Sequence, residues 1–241
     1  MKPLQTESNQ RSEKRNILSR QLIVSTALEI VDNEGLQSLS MRRVGKELNV
    51  SPGALYPYIE SKEKLTQALI DAIFQEVNLE IFNTTKWQQS IRSMGQELRR
   101  IFLKHQDLVS LTLGRIPIGP NFAIVLEKMM ATLVSNGVPG YLGFYVGDII
   151  GLYTAAFVYE EYLQKSGENQ TPTGEQNVSD FRDFLASLPE KEFPNIHRAA
   201  VDHNNNKMVD RYEFGLDVLI QGLEATFEKK MPINLGLRKS N

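Results

Sequence analysis

The chain has 241 residues with nearly balanced charge, 27 Lys/Arg against 29 Asp/Glu, and it contains no cysteine. The length allows one or two domains with a real core, and the near-neutral balance rules out a global field built for a polyanion. The missing cysteines exclude disulfides, thiolate nucleophiles and cysteine metal sites.

Residues 1–15 are rich in Gln, Ser, Asn and charge, with Glu7 and Glu13 where a signal peptide would be apolar. They are expected to be a mobile tail on a cytoplasmic protein. Lys14 and Arg15 are either a basic arm for phosphates or part of a solvated tail. Residues 1–62 carry nine Lys/Arg against seven Asp/Glu, which leaves the remainder acidic. That sign suits a nucleic-acid-binding head on an acidic body.

A first helix is predicted over Asn16–Glu34, with Ile17, Leu22 (or Ile23), Ala27, Ile30 and Val31 inward and Gly35 as its stop. Ser40 is a good N-cap for a short second helix whose apolar stripe is Met41, Val44 and Leu48. Arg42, Arg43 and Lys46 lie off that stripe. Asn49 can take the left-handed conformation, Val50 plugs the corner, Ser51 caps and Pro52 opens the next helix. Two short helices with this turn read as a helix-turn-helix, although a plain helical corner would share the pattern. Pro57 should shorten or tighten the second of them and push Tyr56 off helical dihedrals.

Beyond Lys62, the row Leu65, Leu69, Ile73, Val77, Ile81 predicts a connector helix over 63–82, and the polar break Asn83–Lys86 marks a domain boundary. A ligand-binding and dimerisation domain is expected over 83–241. Trp87, Ile91, Met94, Leu98, Ile101 and Phe102 recur as a bundle-core stripe. A loop punctuated by Gly114, Pro117, Gly119 and Pro120 precedes a helix over about Asn121–Asn136, which Gly137 stops. The run Tyr141–Tyr159 is long enough for a bilayer, but Asp148, three glycines and the lack of basic flanks favour a buried helix and no membrane. Gly143, Gly147, Gly151 and Ala155 stand four apart on one face, as a closely approached helix requires. Residues 166–178 have no apolar periodicity and are expected to be a mobile loop. A last helix over Asp210–Lys229 carries Tyr212, Leu216, Leu219, Leu223 and Phe227, with Gly215 and Gly222 seven apart. Pairing the two glycine-bearing helices with their copies in a second subunit would make a four-helix interface through Gly143, Gly147, Gly151, Ala155, Gly215, Leu219 and Gly222. Burial of both within one subunit is the alternative. The fold class is all-α: a three-helix helix-turn-helix head, residues 16–62, on an all-helical body.

The pattern Gly35-x-x-x-Leu39-Ser40-x-Arg42-x-Val44, Val50-Ser51-x-Gly53-x-Leu55-Tyr56 and Ser61-Lys62-x-x-Leu65 resembles the N-terminal domain of the Tet repressor (TetR) family. Leu113-Gly114-x-x-Pro117 and Phe214-Gly215-Leu216-x-x-Leu219-Ile220-x-Gly222-Leu223-Glu224 resemble the regulatory domain of its tetracycline-repressor branch. The resemblance implies a homodimer in which a small molecule alters the spacing of two DNA-reading heads. It implies that Ser40, Arg42, Tyr56 and Lys62 meet phosphates, with Arg42 also able to reach a base edge, and that Pro52, Gly53 and Ala54 face the bases. Arg43, Ser51 and Tyr58 adjoin them as further candidates. The pocket it implies is lined by Met94, Leu98, Phe102, Leu113, Ile116, Phe122, Phe144, Leu152 and Phe157, each of which could also be ordinary core, with Arg115 and Asp148 as polar candidates.

Asn78, Met94, Thr112 and Leu152 stand where tetracycline-binding members place drug and magnesium ligands, and only Glu160 of that acidic site is retained. Magnesium–tetracycline is therefore not the expected ligand, and no metal or cofactor is implied. Glu160-Glu161 is a helix-surface doublet, and neither a nucleophile–base pair nor a phosphate loop is present, so no catalytic residue is assigned. The reading is a ligand-responsive transcriptional regulator: a repressor that binds a palindromic operator as a dimer and is released by a hydrophobic small molecule. The alternative is a dimeric small-molecule-binding protein, or an activator, with altered DNA recognition.

Overall fold

The computed structural model describes residues 17–166, 174–205 and 210–227, all helix and turn without a strand among them. The tail at 1–15 lies outside the described residues.

Helix α1 (Arg20–Glu34) starts later than expected, because Ser19 rather than Asn16 caps it, its hydroxyl accepting from Leu22 N–H at 3.1 Å. Ile17 therefore precedes the helix and is exposed, while Ile23, Ala27 and Val31 are fully buried. Gly35 ends the helix at φ 80°. Helix α2 (Met41–Glu47) is capped by Ser40, which accepts from Arg43 N–H at 3.1 Å. Asn49 makes the corner at φ 56°.

Beyond the corner the chain makes a single 3₁₀ turn, Pro52–Leu55. Ser51 contributes its backbone carbonyl, accepting from Ala54 N–H at 3.0 Å, and not a side-chain cap. The turn ends before Pro57, as the missing N–H demands. Tyr56, however, stays helical at φ −60°, ψ −32°. Buried Ile59 draws the chain back under the turn, its N–H and that of Tyr58 both donating to Leu55 O, and this outweighs the proline's steric preference.

The connector is not one helix to residue 82. Helix α3 (Lys62–Phe74), capped by Ser61, stops after Phe74. Asn78 then breaks the helical path: its N–H donates to Glu97 on the next helix, and its side chain caps Glu80 in a 3₁₀ turn, Leu79–Phe82. Val77 and Phe82 remain buried, so the apolar row continues although the helix does not.

The body is built around α4 (Trp87–Lys104), whose Trp87, Ile91, Met94, Leu98, Ile101 and Phe102 are all buried. A sharp corner at His105 leads to short α5 (Gln106–Thr112), then α6 (Pro120–Ser135) and α7 (Gly140–Ser166). Helix α7 is long and apolar enough to cross a membrane by length and composition; it packs on α4, α5, α6 and α10 (Arg211–Phe227), with Val146, Ile150, Ala155 and Val158 buried. The loop expected over 166–178 is shorter. Ser166 belongs to α7 and residues 174–178 open α8 (Gly174–Ser187), which packs on α9 (Pro194–Asn205); 167–173 lie outside the described residues. The row Phe181, Phe184, Leu185, Leu188 supplies the helical spacing that the polar run before it hides.

Head and body meet at His105, which is 2% exposed. Its Nδ1 lies 2.8 Å from Asp32 Oδ1 on α1, and its Nε2 lies 3.0 Å from Glu76 Oε1 just past α3. Burial pushes the Glu76 carboxyl up, but Lys104 and His105 together hold it below the usual carboxylate range.

Candidate functional site

Arg42 is exposed on α2, and so are Pro52 and Gly53 in the recognition turn and Lys62 at the start of α3. Tyr56 and Tyr58 are exposed, large and apolar-bodied, at 48% and 41%. Ser40 and Ala54 are half-buried, Ser51 exposed. The turn opens with the small residues Pro52, Gly53 and Ala54, which let backbone approach a surface closely.

Arg43 is placed differently from the sequence expectation. Its guanidinium forks onto Glu34 (2.5 and 3.1 Å) and reaches Glu47 at 2.7 Å, so its charge is met within the head. These bonds push the Arg43 guanidinium further up, and the bond to Arg43 pulls the Glu34 carboxyl down. Arg43 therefore braces α2 against the end of α1.

The body holds a cavity of about 690 Å³ between α4, α6, α7 and the loop after α5. Met94, Leu98, Phe102, Arg115, Ile116, Phe122, Phe144, Asp148 and Leu152 line it, as expected. Two expected residues are elsewhere. Leu113 leaves α5 in extended conformation and packs on the core. Phe157, on the next turns of α7, meets Tyr153 at a tilt and Tyr212 edge-on, beneath the guanidinium of Arg211. The wall also includes Phe74 of α3, Met129 of α6 and Gly147, Gly151 and Ala155 of α7, none of them expected there.

For Gly143, Gly147 and Gly215 the neighbours are those of the alternative, burial within one subunit. A side chain at Gly143 would strike Met130, one at Gly147 would press on Met129, and one at Gly151 would enter open space. Gly143 and Gly147 of the small-residue face of α7 are thus turned towards α6 of their own subunit, and Gly147, Gly151 and Ala155 leave room for the cavity. Gly215 likewise abuts the Tyr153 hydroxyl within the subunit, whereas Gly222 is open and exposed and Leu219 half-buried. Away from the cavity the large exposed side chains include Ile149 on α7 and Phe214 and Val218 on α10. Periodicity identified the faces; only the packing says which of them points out.

The head matches the family of bacterial regulatory proteins, tetR family, over residues 23–69. The body matches the tetracyclin repressor-like C-terminal domain over residues 82–227. The chain belongs to the TetR family. It is similar to an HTH-type transcriptional regulator of Saccharopolyspora erythraea, 32% identical over 52% of this chain and 53% of that protein, so the match spans about half of the relative's length. It is 25% identical to the class E tetracycline repressor protein of Escherichia coli over 88% of this chain and 94% of the repressor. Among solved structures, apo ActR from Streptomyces coelicolor superposes with a TM-score of 0.76 at 30% identity, covering 89% of this chain and 98% of ActR. ActR has also been solved with actinorhodin, and that form matches with a TM-score of 0.73 at 31% identity over 88% and 99% of the two chains.

As a TetR-family protein this chain is a ligand-responsive transcriptional regulator. Two positions that the resemblance tied to drug and magnesium, the substituted Asn78 and the retained Glu160, have other partners here. Asn78 is a turn cap tied to Glu97, and Glu160 pairs with Arg211 at 2.7 Å. Neither lines the cavity.

Proposed function

We propose that this TetR-family regulator binds a palindromic operator as a cytoplasmic homodimer, represses transcription there, and releases the DNA when a hydrophobic, aromatic small molecule fills the body cavity. The observation that carries the reading is Phe74. It is the last residue of the helix whose first turns, through Leu65 and Leu69, are core to the head, and it is also part of the cavity wall. A ligand there touches the element that aims the DNA-reading surface.

The walls are apolar and aromatic, with Arg115 and Asp148 as the charged groups able to choose a ligand's polarity. The similarity to ActR, solved with actinorhodin, supports a polycyclic aromatic class. The exposed Ile149 of α7 and Phe214 and Val218 of α10 support the dimer, since large apolar side chains grouped on a surface mark an interface. A two-fold dimer that fits successive major grooves places its recognition turns about 34–36 Å apart. A ligand preferring another spacing by about 1–3 kcal/mol weakens operator binding about 5- to 150-fold.

Selection from random DNA with the purified protein tests the first half: a palindrome is enriched. Anisotropy on that duplex, titrated with actinorhodin, tests the second. No enriched palindrome, or an enriched duplex that saturating actinorhodin leaves fully bound, overturns the corresponding half.

A further inference from the structure

We propose that Asp71 is the positioning residue that couples the cavity to the head, a role that rests on the effector reading above. Helix α6 begins at Pro120 with Gly119 in the cap position, and Gly119 has no side chain to accept from the helix's first turn. The cap is supplied by another helix. Asp71, on α3 and only 5% exposed, accepts the Phe122 N–H on Oδ1 at 3.0 Å and the Asn121 side-chain amide on Oδ2 at 3.1 Å. Its negative charge also sits at the positive end of the α6 dipole.

Gly119 shows how closely the two elements are fitted. Its φ of 167° is extended backbone that any residue adopts, so the turn does not require glycine. A methyl group at that position would collide with the carboxyl of Asp71. The glycine therefore serves the approach of the carboxylate, and residues 119, 121 and 122 are all arranged around one side chain from α3.

The same residues belong to the cavity. Phe122 lines it, as does Phe74 one turn beyond Asp71, and their rings meet edge-on with centroids 5.1 Å apart. The apolar burial of the two rings is non-directional and the geometric preference of the ring pair is weak, which lets one helix slide past the other. Charge-assisted hydrogen bonds do not, because they weaken steeply out of line, and losing them would leave a buried carboxylate without partners. A molecule that displaces Phe122 thus moves Asp71, and with it α3, towards a new head position. Without Asp71 the displacement is absorbed at the Phe74–Phe122 contact.

The test uses anilinonaphthalene sulfonate, an aromatic anion that fluoresces in apolar sites, with and without the operator duplex enriched by selection. Linkage makes the two binding events weaken each other equally. In the wild type the duplex should lower probe affinity by about 5- to 150-fold. Asp71→Ala and Gly119→Ala should each bring that ratio close to one, while the probe affinity of the DNA-free protein stays near the wild-type value. Asp71→Asn keeps an oxygen for Phe122 N–H and, with Asn121 turned over, a second bond, so it should retain most of the coupling. A merely structural role would lower the melting temperature of the variants and leave the ratio intact, and that result overturns the proposal. Should Asp71→Ala not fold, Gly119→Ala decides alone. A wild-type ratio of one overturns the effector reading itself, and the role of Asp71 with it; a wild-type ratio well above one that the variants share overturns Asp71 only.

Discussion

Tyr212 offers a prediction whose size comes from its surroundings. Its side chain is fully buried between α4, α7 and α10, and its hydroxyl donates to Gly95 O at 2.7 Å. Thr154 Oγ1 lies 3.0 Å from the same oxygen. Tyr212→Phe removes these bonds without changing the packing, which at neutral pH should cost about 1–2 kcal/mol. Burial pushes the phenol pKa up to about 12, against about 10 in the unfolded chain. Above about pH 10 the unfolded chain gives up a proton that the folded one keeps, so stability present below that pH is lost as pH rises towards the folded value. The loss by about pH 11 is about 1.4 kcal/mol, out of about 2.7 kcal/mol over the whole window. Phenylalanine has no such loss. Tyr153, also raised by burial, is common to both proteins and cancels. Urea unfolding followed by far-ultraviolet circular dichroism should therefore show the two proteins clearly separated at neutral pH and nearly equal at about pH 11. A gap that stays constant between the two pH values would refute the reasoning, because it would mean that the hydroxyl is not desolvated.

On the head, Arg42→Ala and Lys62→Ala should each reduce the salt slope of operator binding by about one, whereas Arg43→Ala, already paired with Glu34 and Glu47, should leave it unchanged. Anisotropy across a potassium chloride series checks this, and an equal fall in slope for Arg43→Ala would return it to the phosphate contacts. On the body, Val218→Asp puts a charge into the outward row of α10 and should give a folded monomer in the ultracentrifuge with operator affinity down by about tenfold or more. A stable Val218→Asp dimer would place the interface elsewhere.

Much of the punctuation is legible in residue chemistry alone: Ser40 accepts from the first turn that it precedes, and Gly35 and Gly137 end helices at positive φ, although Ser51 supplies no side-chain cap. So was the α4 stripe, because three- and four-residue spacing on an otherwise polar helix has one solution. The connector differs from the expectation because Val77 and Ile81 continue the apolar row after the helix has stopped; packing persists through a break at Asn78, whose partner lies on α4. What the glycine face meets is hidden for a related reason. Spacing says that Gly143, Gly147 and Gly151 point the same way, but what the first two face, Met130 and Met129, lies on another helix, and Gly151 faces open space. Asp71 carried no signal at all, since a lone acid in an apolar helix gains meaning only from the α6 terminus that it caps.

The bonds of His105 have a consequence for protein engineering. Sensor bodies and DNA-reading heads invite exchange as if they were interchangeable parts, yet this seam is written on both sides: Asp32 belongs to the head, Glu76 to the segment after α3, and the ring between them to the body. A chimaera that grafts another head onto this body would present an imidazole to whatever replaces Asp32, so an apolar residue there would strand one ring nitrogen in a buried site. Transplants should accordingly keep an acid at position 32, or cut the chain so that Asp32, Glu76 and His105 travel together.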